Sequence, residues 1–271
     1  MKKLLVVLLF IPLVCFAQTN EAVELLESGI QKVFDDKFDE ALIDFNLALE
    51  KDQKGSIKHK IYFERAQLKR RYLKDFNGAL RDYNSSIRLN PNYVRAYVYR
   101  GVLYERNFRD FESAKNDYIK SIEVDPDCGA CWMQLGYAYR TTTSDEQIEN
   151  LKISINLGID LDFDGQLEPT FFIYDRIANI KWEYQGDYSG AIEYYQMLID
   201  NYEEYDPDGD GEMDETGYLN NTYYSMALVY FNYLNEIDLA LSSVNKAIEI
   251  NPNDKDYFTL RAQIKYNNNN V

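Results

Sequence analysis

Histidine is almost absent from this 271-residue chain, in which His59 is the only one. It stands in a polar connection, with neither a second histidine nor a nucleophile set nearby that would give it a role as a general base. A glycine-rich phosphate-binding loop is missing as well. The sequence therefore lacks the residues of the common hydrolase and transferase sites, and we predict that the protein is not an enzyme.

Basic residues are scarce beyond residue 140. Residues 18–140 carry 20 basic and 20 acidic side chains, whereas residues 141–271 carry 7 basic and 25 acidic ones. Nucleic acids are polyanions and bind surfaces on which lysine and arginine cluster. The charge balance therefore argues against a nucleic-acid partner.

Only one long apolar run is present, from Leu4 to Phe16. It follows two lysines and ends before Ala17, which is the basic, apolar and small-residue order of a secretory signal peptide. The run is too short to span a bilayer. We expect cleavage after Ala17, so that residues 1–17 are the signal peptide. Residues 18–271 are then one exported, soluble domain in the periplasm or outside the cell, and not membrane-spanning.

Cysteine is nearly as rare. Cys15 lies in the predicted signal peptide, which leaves Cys128 and Cys131 at C-x-x-C spacing. In an oxidising compartment this spacing predicts a local disulfide or two packing thiols. A redox site, favoured by the low thiol pKa at a helix N-terminus, and a metal site are alternatives. The sequence has no βαβ pattern, which a redox site of the thioredoxin type would need, and no second C-x-x-C, which a zinc site would need.

The most prominent positive feature is a pattern that recurs every 35 residues along much of the chain. Tyr97 and Gly101 are matched by Tyr62 and Ala66 one period earlier, and a fixed period of this size indicates a repeat array. Apolar residues recur at three- and four-residue spacing without alternation, which indicates helices. Helix pairs are predicted at about 21–34 and 38–51, 57–74 and 76–89, 94–108 and 111–124, 130–141 and 144–157, 170–185 and 188–203, and 219–234 and 237–250, with a last helix at 254–267.

Over residues 21–267 the chain resembles the tetratricopeptide repeat family, whose repeats carry small residues, an aromatic residue and a closing proline at fixed positions. The second and third repeats match at Tyr62, Ala66, Ala79, Tyr83, Ser86 and Pro91, and at Tyr97, Gly101, Ala114, Tyr118, Ser121 and Pro126. The resemblance implies an all-α solenoid, a right-handed superhelix of about six helix pairs plus a C-terminal capping helix. The fourth repeat departs from the pattern, with Ile148 in place of the alanine.

Two arginines and two aspartates occur together in the repeats. Arg65 and Arg100 are one period apart, and Asp82 and Asp117 occupy matching places in the second helices of the same repeats. The fifth and sixth repeats have Ile177 and Met226 at the arginine position, and they also lack the aspartate, with Tyr194 and Ser243 in its place. The co-occurrence predicts a bidentate, structural ion pair between the two helices of each repeat, with ligand binding by the arginines as the alternative.

The resemblance also implies a concave face lined by residues of the first helices, which would bind a protein or peptide partner. The basic members predict an acidic or C-terminal peptide segment as the ligand. The alternative is that they are solvated charges on helix faces. The first-helix residues whose position along the helix places them on this concave face are Lys60, Arg70, Arg95, Arg140, Asn179, Trp182 and Tyr224.

Two acidic connections, 160–168 and 206–217, resemble the calcium-binding loop of the EF-hand, with carboxylates at places 1, 3 and 5 and a glycine at place 6. The glutamate expected at place 12 is replaced by Phe171 and Gly217, which indicates weak binding or plain solvent-exposed loops. The candidate calcium ligands are Asp160, Asp162, Asp164 and Glu168 in the first loop, and Asp206, Asp208, Asp210, Glu212 and Asp214 in the second.

Together these features predict an exported, non-enzymatic scaffold that holds a protein or peptide in the groove of a repeat array and is stabilised by calcium. Two alternatives belong to other classes. One is a thiol–disulfide oxidoreductase that uses Cys128 and Cys131, and the other is a calcium-regulated structural protein.

Overall fold

The computed structural model describes residues 21–138, 140–160, 169–205 and 218–268, and these residues form helices without a β-strand. The helices pair in chain order, as the sequence predicts. Their bounds are α1 (21–34), α2 (Phe38–Lys51), α3 (Lys58–Leu68), α4 (Phe76–Leu89), α5 (Val94–Leu103), α6 (Phe111–Val124), α7 (Gly129–Tyr137), α8 (Ser144–Leu157), α9 (Phe171–Ile180), α10 (Tyr188–Tyr205), α11 (Tyr218–Val229), α12 (Ile237–Ile250) and α13 (Lys255–Asn268).

The chain divides into two compact units, Met1–Asp127 and Cys128–Val271. The first contains the pairs α1–α2, α3–α4 and α5–α6. The second contains α7–α8, α9–α10, α11–α12 and the single helix α13.

Small residues bring the helices of the first unit into contact. A Cβ atom at Gly101 would lie 2.6 Å from the ring of Tyr118, and one at Gly29 would lie 2.6 Å from Phe45. Both rings are completely buried. The aromatic residue of the second helix thus fills the space that the missing side chain leaves on the first, as the repeat pattern predicts.

The second unit uses the same arrangement with one variation. Tyr195 is fully buried among Ala178 and Ala191. In the pair α7–α8, by contrast, a Cβ atom at Gly136 would meet Leu151 at 2.7 Å. Leucine therefore closes this hairpin in place of the aromatic residue, and Ile148, which replaces the expected alanine, is itself buried.

Four first helices end in a π-helical segment, which the periodicity could not indicate. The segments are Lys69–Leu73, Tyr104–Phe108, Lys181–Gln185 and Tyr230–Leu234. A residue with positive φ follows each one: Lys74 (57°), Arg109 (57°), Gly186 (66°) and Asn235 (55°).

Several repeats of this chain are 35 residues long, one residue longer than the 34-residue tetratricopeptide repeat. The added residue lies at these turns between the two helices. In the second repeat the N–H of Asp75 donates to the carbonyl oxygen of Lys69 at 3.0 Å. The carboxylate of Asp75 then accepts from the N–H of Gly78 at 2.8 Å and caps α4. One left-handed residue and one capping aspartate therefore suffice to reverse the chain.

The helix predicted for residues 130–141 is shorter than expected, and this prediction was wrong at its end. The described residues between α7 and α8 contain no π-helical segment. The hydroxyl of Thr142 donates to the carbonyl oxygen of Ala138 at 2.8 Å, and Thr143 with Glu146 forms a capping box that starts α8. Arg140 consequently lies in the connection and not on the first helix of its repeat.

Each of the two repeated arginines of the first unit, Arg65 and Arg100, connects three helices. Arg65 of α3 donates through Nε and Nη2 to Asp82 of α4 at 2.8 and 2.7 Å, and through Nη1 to Asn46 of α2 at 2.5 Å. Its guanidinium carbon lies 5.3 Å from the ring centre of Tyr62. Lys69 adds a second cation to Asp82 at 2.7 Å.

The next repeat reproduces these contacts. Arg100 donates to both oxygens of Asp117 at 2.8 and 2.6 Å and to Asn84 at 2.6 Å, over the ring of Tyr97 at 5.7 Å. The carboxylates of Asp82 and Asp117 are almost completely buried. The structure therefore contains both predicted ion pairs and adds an asparagine from the preceding helix pair to each.

We expect Arg109→Gly to raise the unfolding midpoint of the protein. An L-residue in the left-handed region costs about 1–2 kcal/mol, whereas the entropic cost of glycine is about 0.5–1 kcal/mol. Arg109 is exposed, so little else is lost. The net gain, on the order of 0.5 kcal/mol, can be measured by urea denaturation followed by circular dichroism.

Gly186→Ala is the matched opposite change. Gly186 has the same backbone conformation, and an added Cβ atom meets open space, with Tyr188 Oη the nearest atom at 3.9 Å. Backbone strain alone should therefore lower the stability by roughly 1 kcal/mol. A shift of both variants in the same direction would contradict this account of the turns.

Candidate peptide-binding site

An aromatic cluster lies between the first helices of the second and third repeats. Its centre is Phe63 of α3, which is fully buried. The ring centre of Phe63 is 5.3 Å from that of Tyr93, 5.6 Å from that of Tyr99 and 6.0 Å from that of Tyr83. Its neighbours come from α4, α5 and the residue before α5, so three elements fix the position of the cluster.

Two of the predicted groove residues lie on this cluster from opposite helices. Arg70, in the π-helical segment after α3, has its guanidinium carbon 5.7 Å from the ring centre of Tyr99 on α5. Arg95 on α5 has its guanidinium carbon 4.7 Å from the ring centre of Phe63 on α3. The structure thus brings Arg70 and Arg95 together on one aromatic surface.

Hydrogen bonds hold Arg70 but do not use all of its donors. Its Nη2 donates to Oε1 of Gln67 at 2.9 Å, and the hydroxyl of Tyr83 donates to the same oxygen at 2.9 Å. The Nε of Arg70 is buried and has no hydrogen-bond partner. A buried donor without an acceptor costs free energy, so the protein itself does not fully satisfy this guanidinium group.

Burial sets the ionisation of the neighbouring groups. Burial raises the pKa of Tyr93 to about 12 and raises the pKa of Tyr83 still further, so both hydroxyls remain protonated and can donate. Burial also raises the pKa of Glu64, although Arg95 opposes the shift. The cluster therefore presents the guanidinium groups of Arg70 and Arg95 beside the carboxyl group of Glu64, whose burial disfavours the charged form.

Sequence reasoning missed Gln67, Tyr99 and Glu64. Gln67 and Glu64 lie on the same helix as Arg70, and the repeat position of Tyr99 could have placed it on α5. Their contacts with the arginines depend on side-chain directions at the π-helical turn, which periodicity does not supply. We call Phe63, Glu64, Gln67, Arg70, Tyr83, Tyr93, Arg95 and Tyr99 the arginine–tyrosine site.

Two predicted groove residues lie outside this site. Lys60 is exposed in the first turn of α3. Arg140 is exposed in the connection after α7, in the second unit.

The second unit holds the other three predicted groove residues. Asn179 donates from Nδ2 to Asp175 at 2.9 Å and accepts from the hydroxyl of Tyr195 at 2.7 Å. Trp182 packs edge to face on Tyr233, with ring centres 6.3 Å apart. Each of these side chains is held by neighbours within the second unit.

Tyr224 lies farther along the same unit. Its ring centre is 5.0 Å from that of Tyr257, and both rings contribute to the core around α13. Burial raises the pKa of Tyr224, with the charges of Asp256 and Asp254 adding to the shift. Its hydroxyl therefore stays protonated at neutral pH.

Cys128 and Cys131 form a disulfide at the start of α7, with their Cα atoms 5.3 Å apart. Cys128 is 8% exposed and Cys131 is completely buried. The Sγ of Cys128 also accepts from the N–H of Cys131 at 3.1 Å, in the position of a helix cap. The disulfide therefore links the N-cap residue of α7 to the first turn of that helix.

The candidate calcium ligands fall almost entirely outside the described residues, Asp160 being the exception. Those outside are Asp162, Asp164, Glu168, Asp206, Asp208, Asp210, Glu212 and Asp214. Within the described ranges no group of three or more acidic, histidine or cysteine side chains could hold a metal ion. Within the same ranges no helix is long and apolar enough to cross a membrane.

The helices form pairs, with small residues where the two helices touch and aromatic residues beside these contacts. This arrangement defines an all-α solenoid of tetratricopeptide-like repeats. Models of the tetratricopeptide repeat match residues 94–128, 174–204 and 221–254. The predicted fold class is confirmed. No curated protein matches the sequence at a significant level.

Several solved structures share the fold. The pilF protein of Pseudomonas aeruginosa is 14% identical, with 91% of this chain and 99% of that chain covered and a TM-score of 0.64. YrrB, described as a tetratricopeptide repeat protein with an unusual peptide-binding site, is 18% identical, with 82% and 97% covered and a TM-score of 0.56. A MamA protein is 22% identical, with 71% and 91% covered and a TM-score of 0.54.

We expect Asp175→Asn to stabilise the protein at neutral pH. Burial raises the pKa of Asp175 to about 6, against the opposing effects of Arg176 and Asn179. A raised carboxyl pKa means that folding disfavours the charged form, so the cost is complete above about pH 6 and absent below the ordinary pKa of 3.8. The gain should be on the order of 1 kcal/mol at pH 7, allowing for partial solvent screening, and should vanish by pH 4.

Thermal unfolding of the two proteins between pH 4 and pH 8 measures this difference. Glu193→Gln, at an exposed position of α10, removes the same charge from the same unit and serves as the control. If both variants gain equally at pH 7, general charge repulsion and not the burial of Asp175 would be the cause.

Proposed function

We propose that this protein is an exported, non-enzymatic scaffold that binds an acidic segment of a partner protein or peptide at the arginine–tyrosine site. The observation that carries the proposal is the pair Arg70 and Arg95, whose guanidinium groups both lie over rings of one aromatic cluster. The tetratricopeptide fold favours protein partners, and YrrB, which shares the fold, is described by its peptide-binding site.

The chemistry of the site favours a carboxylate. Guanidinium groups donate two parallel hydrogen bonds to carboxylates, and such charge-assisted bonds are stronger than neutral ones. The rings beneath Arg70 and Arg95 restrict both side chains before a ligand arrives, which lowers the entropic cost of binding. Gln67, which also accepts from the hydroxyl of Tyr83, holds the Nη2 end of the Arg70 guanidinium group.

Export rests on the sequence at residues 1–17, which lie outside the described ranges. The disulfide of the second unit agrees with an oxidising compartment. The oxidoreductase alternative has less support, because Cys128 and Cys131 are both buried and offer no exposed sulfur for exchange.

The double variant Arg70→Glu, Arg95→Glu is expected to weaken binding of acidic peptides by about 100-fold or more, because two charge-assisted contacts of about 1.5–3 kcal/mol each are replaced by repulsion. Fluorescence anisotropy with acidic peptides that end in a free carboxylate or an amide measures the loss. Crosslinking of the native protein followed by mass spectrometry identifies the physiological partner.

Arg81→Glu, Arg88→Glu is the matched control. Both positions are exposed on α4 in the same unit, and the change in net charge is identical. Circular dichroism checks that both variants keep their helices. Unchanged binding by the Arg70, Arg95 variant, or an equal loss in the control, would remove the arginine–tyrosine site from the proposal.

We also propose that the acidic connections 160–168 and 206–217 bind calcium. Their D-x-D-x-D-G spacing supports this, and the missing glutamate at place 12 indicates a dissociation constant on the order of 10⁻⁴–10⁻³ M. Phe171, at place 12 of the first loop, is buried against Leu198 and Tyr202 and belongs to the core. The carboxylates of the loops would therefore act without a bidentate partner at that place.

Millimolar calcium should raise the thermal unfolding midpoint, because the ion binds only the folded chain. Asp208→Asn, Asp210→Asn should remove most of the shift, and magnesium at the same concentration is the control for ionic strength. A melting curve that calcium leaves unmoved would make both loops plain acidic connections.

A further inference from the structure

The first helix of the fifth repeat carries a charged residue where the other first helices carry an apolar or aromatic one. The position lies three residues before the small residue at which the two helices of a repeat touch. In α9 it is occupied by Asp175, and in the other first helices by Leu26, Phe63, Val98, Met133 and Tyr224. A carboxyl group therefore takes the place of an apolar side chain at one point of the second unit.

Neutral groups hold this carboxyl group in position. Nδ2 of Asn179 donates to Asp175 at 2.9 Å, and Oδ1 of Asn179 accepts from the hydroxyl of Tyr195 at 2.7 Å. An ionised carboxylate can only accept hydrogen bonds, so the amide must present its NH₂ group to Asp175. Because the ring of Tyr195 is completely buried, it fixes the orientation of Asn179 and, through it, that of Asp175.

Asp175 forms no ion pair with the residues that the structure describes. In the second unit the ion pairs among those residues join Lys181 to Asp187 and Lys246 to Glu249. The only described hydrogen bond to the carboxylate of Asp175 is the one from the amide of Asn179. Its negative charge is therefore not matched by a contacting cation within the second unit.

The nearest arginine in the sequence is directed elsewhere. Arg176 follows Asp175 directly, and adjacent residues of a helix do not face each other. Its Nη2 donates to Oε1 of Gln147 on α8 at 3.4 Å, and its guanidinium carbon lies 6.0 Å from the ring centre of Tyr137 on α7. Arg176 therefore extends toward the preceding helix pair, and it acts on Asp175 only through its charge.

Three buried aspartates of the first unit show what Asp175 lacks. Asp44, Asp82 and Asp117 each lie 2.6–2.8 Å from the side-chain nitrogen of a lysine or arginine. A buried carboxylate costs free energy unless a cation and hydrogen bonds compensate for its desolvation. A single amide donor supplies only part of this compensation at Asp175.

The ionisation of Asp175 agrees with this geometry. Burial raises its pKa to about 6, although Arg176 and Asn179 oppose the shift. At neutral pH the group is therefore mostly ionised and bears a cost that a cationic ligand would relieve. A charge that folding disfavours, and that Asp175→Asn is expected to remove with a gain in stability, is typical of a binding site.

An aromatic side chain lies on the same face of the helix. Trp182 follows Asn179 by three residues, as Arg70 follows Gln67 on α3, where the two side chains are in contact. The indole ring of Trp182 is partly exposed and packs edge to face on Tyr233, with ring centres 6.3 Å apart. The face of a tryptophan attracts a lysine or arginine cation, and it also packs against the methylene groups of such a side chain.

We propose that Asp175 and Trp182 bind a lysine or arginine side chain of a peptide or protein, with Asn179 as the residue that positions the carboxylate. The carboxylate accepts charge-assisted hydrogen bonds from the ammonium or guanidinium group, and the indole ring packs along the methylene groups. The excess of acidic residues beyond residue 140 favours the approach of a basic segment.

This site goes beyond the function proposed above and does not depend on it. It lies in the second unit, whereas the arginine–tyrosine site lies in the first. Its ligand also carries the opposite charge. The two proposals can therefore fail separately, because acidic peptides test one site and basic peptides test the other.

A labelled peptide in which arginine alternates with glycine and serine tests the proposal. Its termini are acetylated and amidated, so that only side chains carry charge, and the salt concentration is 0.15 M to screen long-range attraction. Fluorescence anisotropy should show binding to the full chain, and Asp175→Asn should weaken that binding by about tenfold or more. The same peptide with citrulline in place of arginine should not bind, because citrulline has the shape of arginine without its charge.

Glu193→Gln is the matched control in the protein, since it removes one negative charge at an exposed position of the same unit. It should leave the affinity for the arginine peptide unchanged. Unfolding is not the cause of a loss at Asp175→Asn if that variant melts at or above the temperature of the wild type. Three results would overturn the proposal: no binding of the arginine peptide, equal affinities of the wild type and Asp175→Asn, or an equal loss in Glu193→Gln.

Discussion

The close approach of two helices at a residue with little or no side chain is the constraint on which the rest of this structure depends. At Gly101 even a single Cβ atom would collide with the ring of Tyr118. Because the ring is completely buried at that point, it fixes the separation and the rotation of the hairpin together. The directions of the first-helix side chains, and hence the binding surfaces, follow from that geometry.

The arginine–tyrosine site shows how the core and the proposed binding surface share residues. Phe63 is buried in the core of the first unit and also lies beneath the guanidinium group of Arg95. Tyr83 fills its hairpin and also donates to the glutamine that holds Arg70. The site is therefore rigid because it is built on core side chains, and substitutions at Phe63 or Tyr83 would change stability and binding together.

Regular spacing made the helix pairs of this protein predictable, since the small residues, aromatic residues and prolines repeat at constant intervals. The pairs Arg65–Asp82 and Arg100–Asp117 could be foreseen because arginine and aspartate are both absent from the fifth and sixth repeats. The π-helical turns could not, because one added residue can be accommodated in several ways. Arg140 was predicted to lie on the first helix of its repeat, but it lies in the connection after that helix. The threonines after Ala138 cap the helices and shorten α7.

The three-helix contacts of Arg65 and Arg100 also determine the register of the first unit. A slip of one helix along another by a turn, about 5.4 Å, would displace more than the aromatic rings of the hairpins. Such a slip would leave a buried guanidinium group without its carboxylate and its asparagine, at a cost that no apolar repacking offsets. In the second unit Ile177 and Met226 occupy the arginine positions and are buried. Charged contacts thus allow only one register between neighbouring helices of the first unit. In the second unit the register depends on the shapes of the apolar side chains.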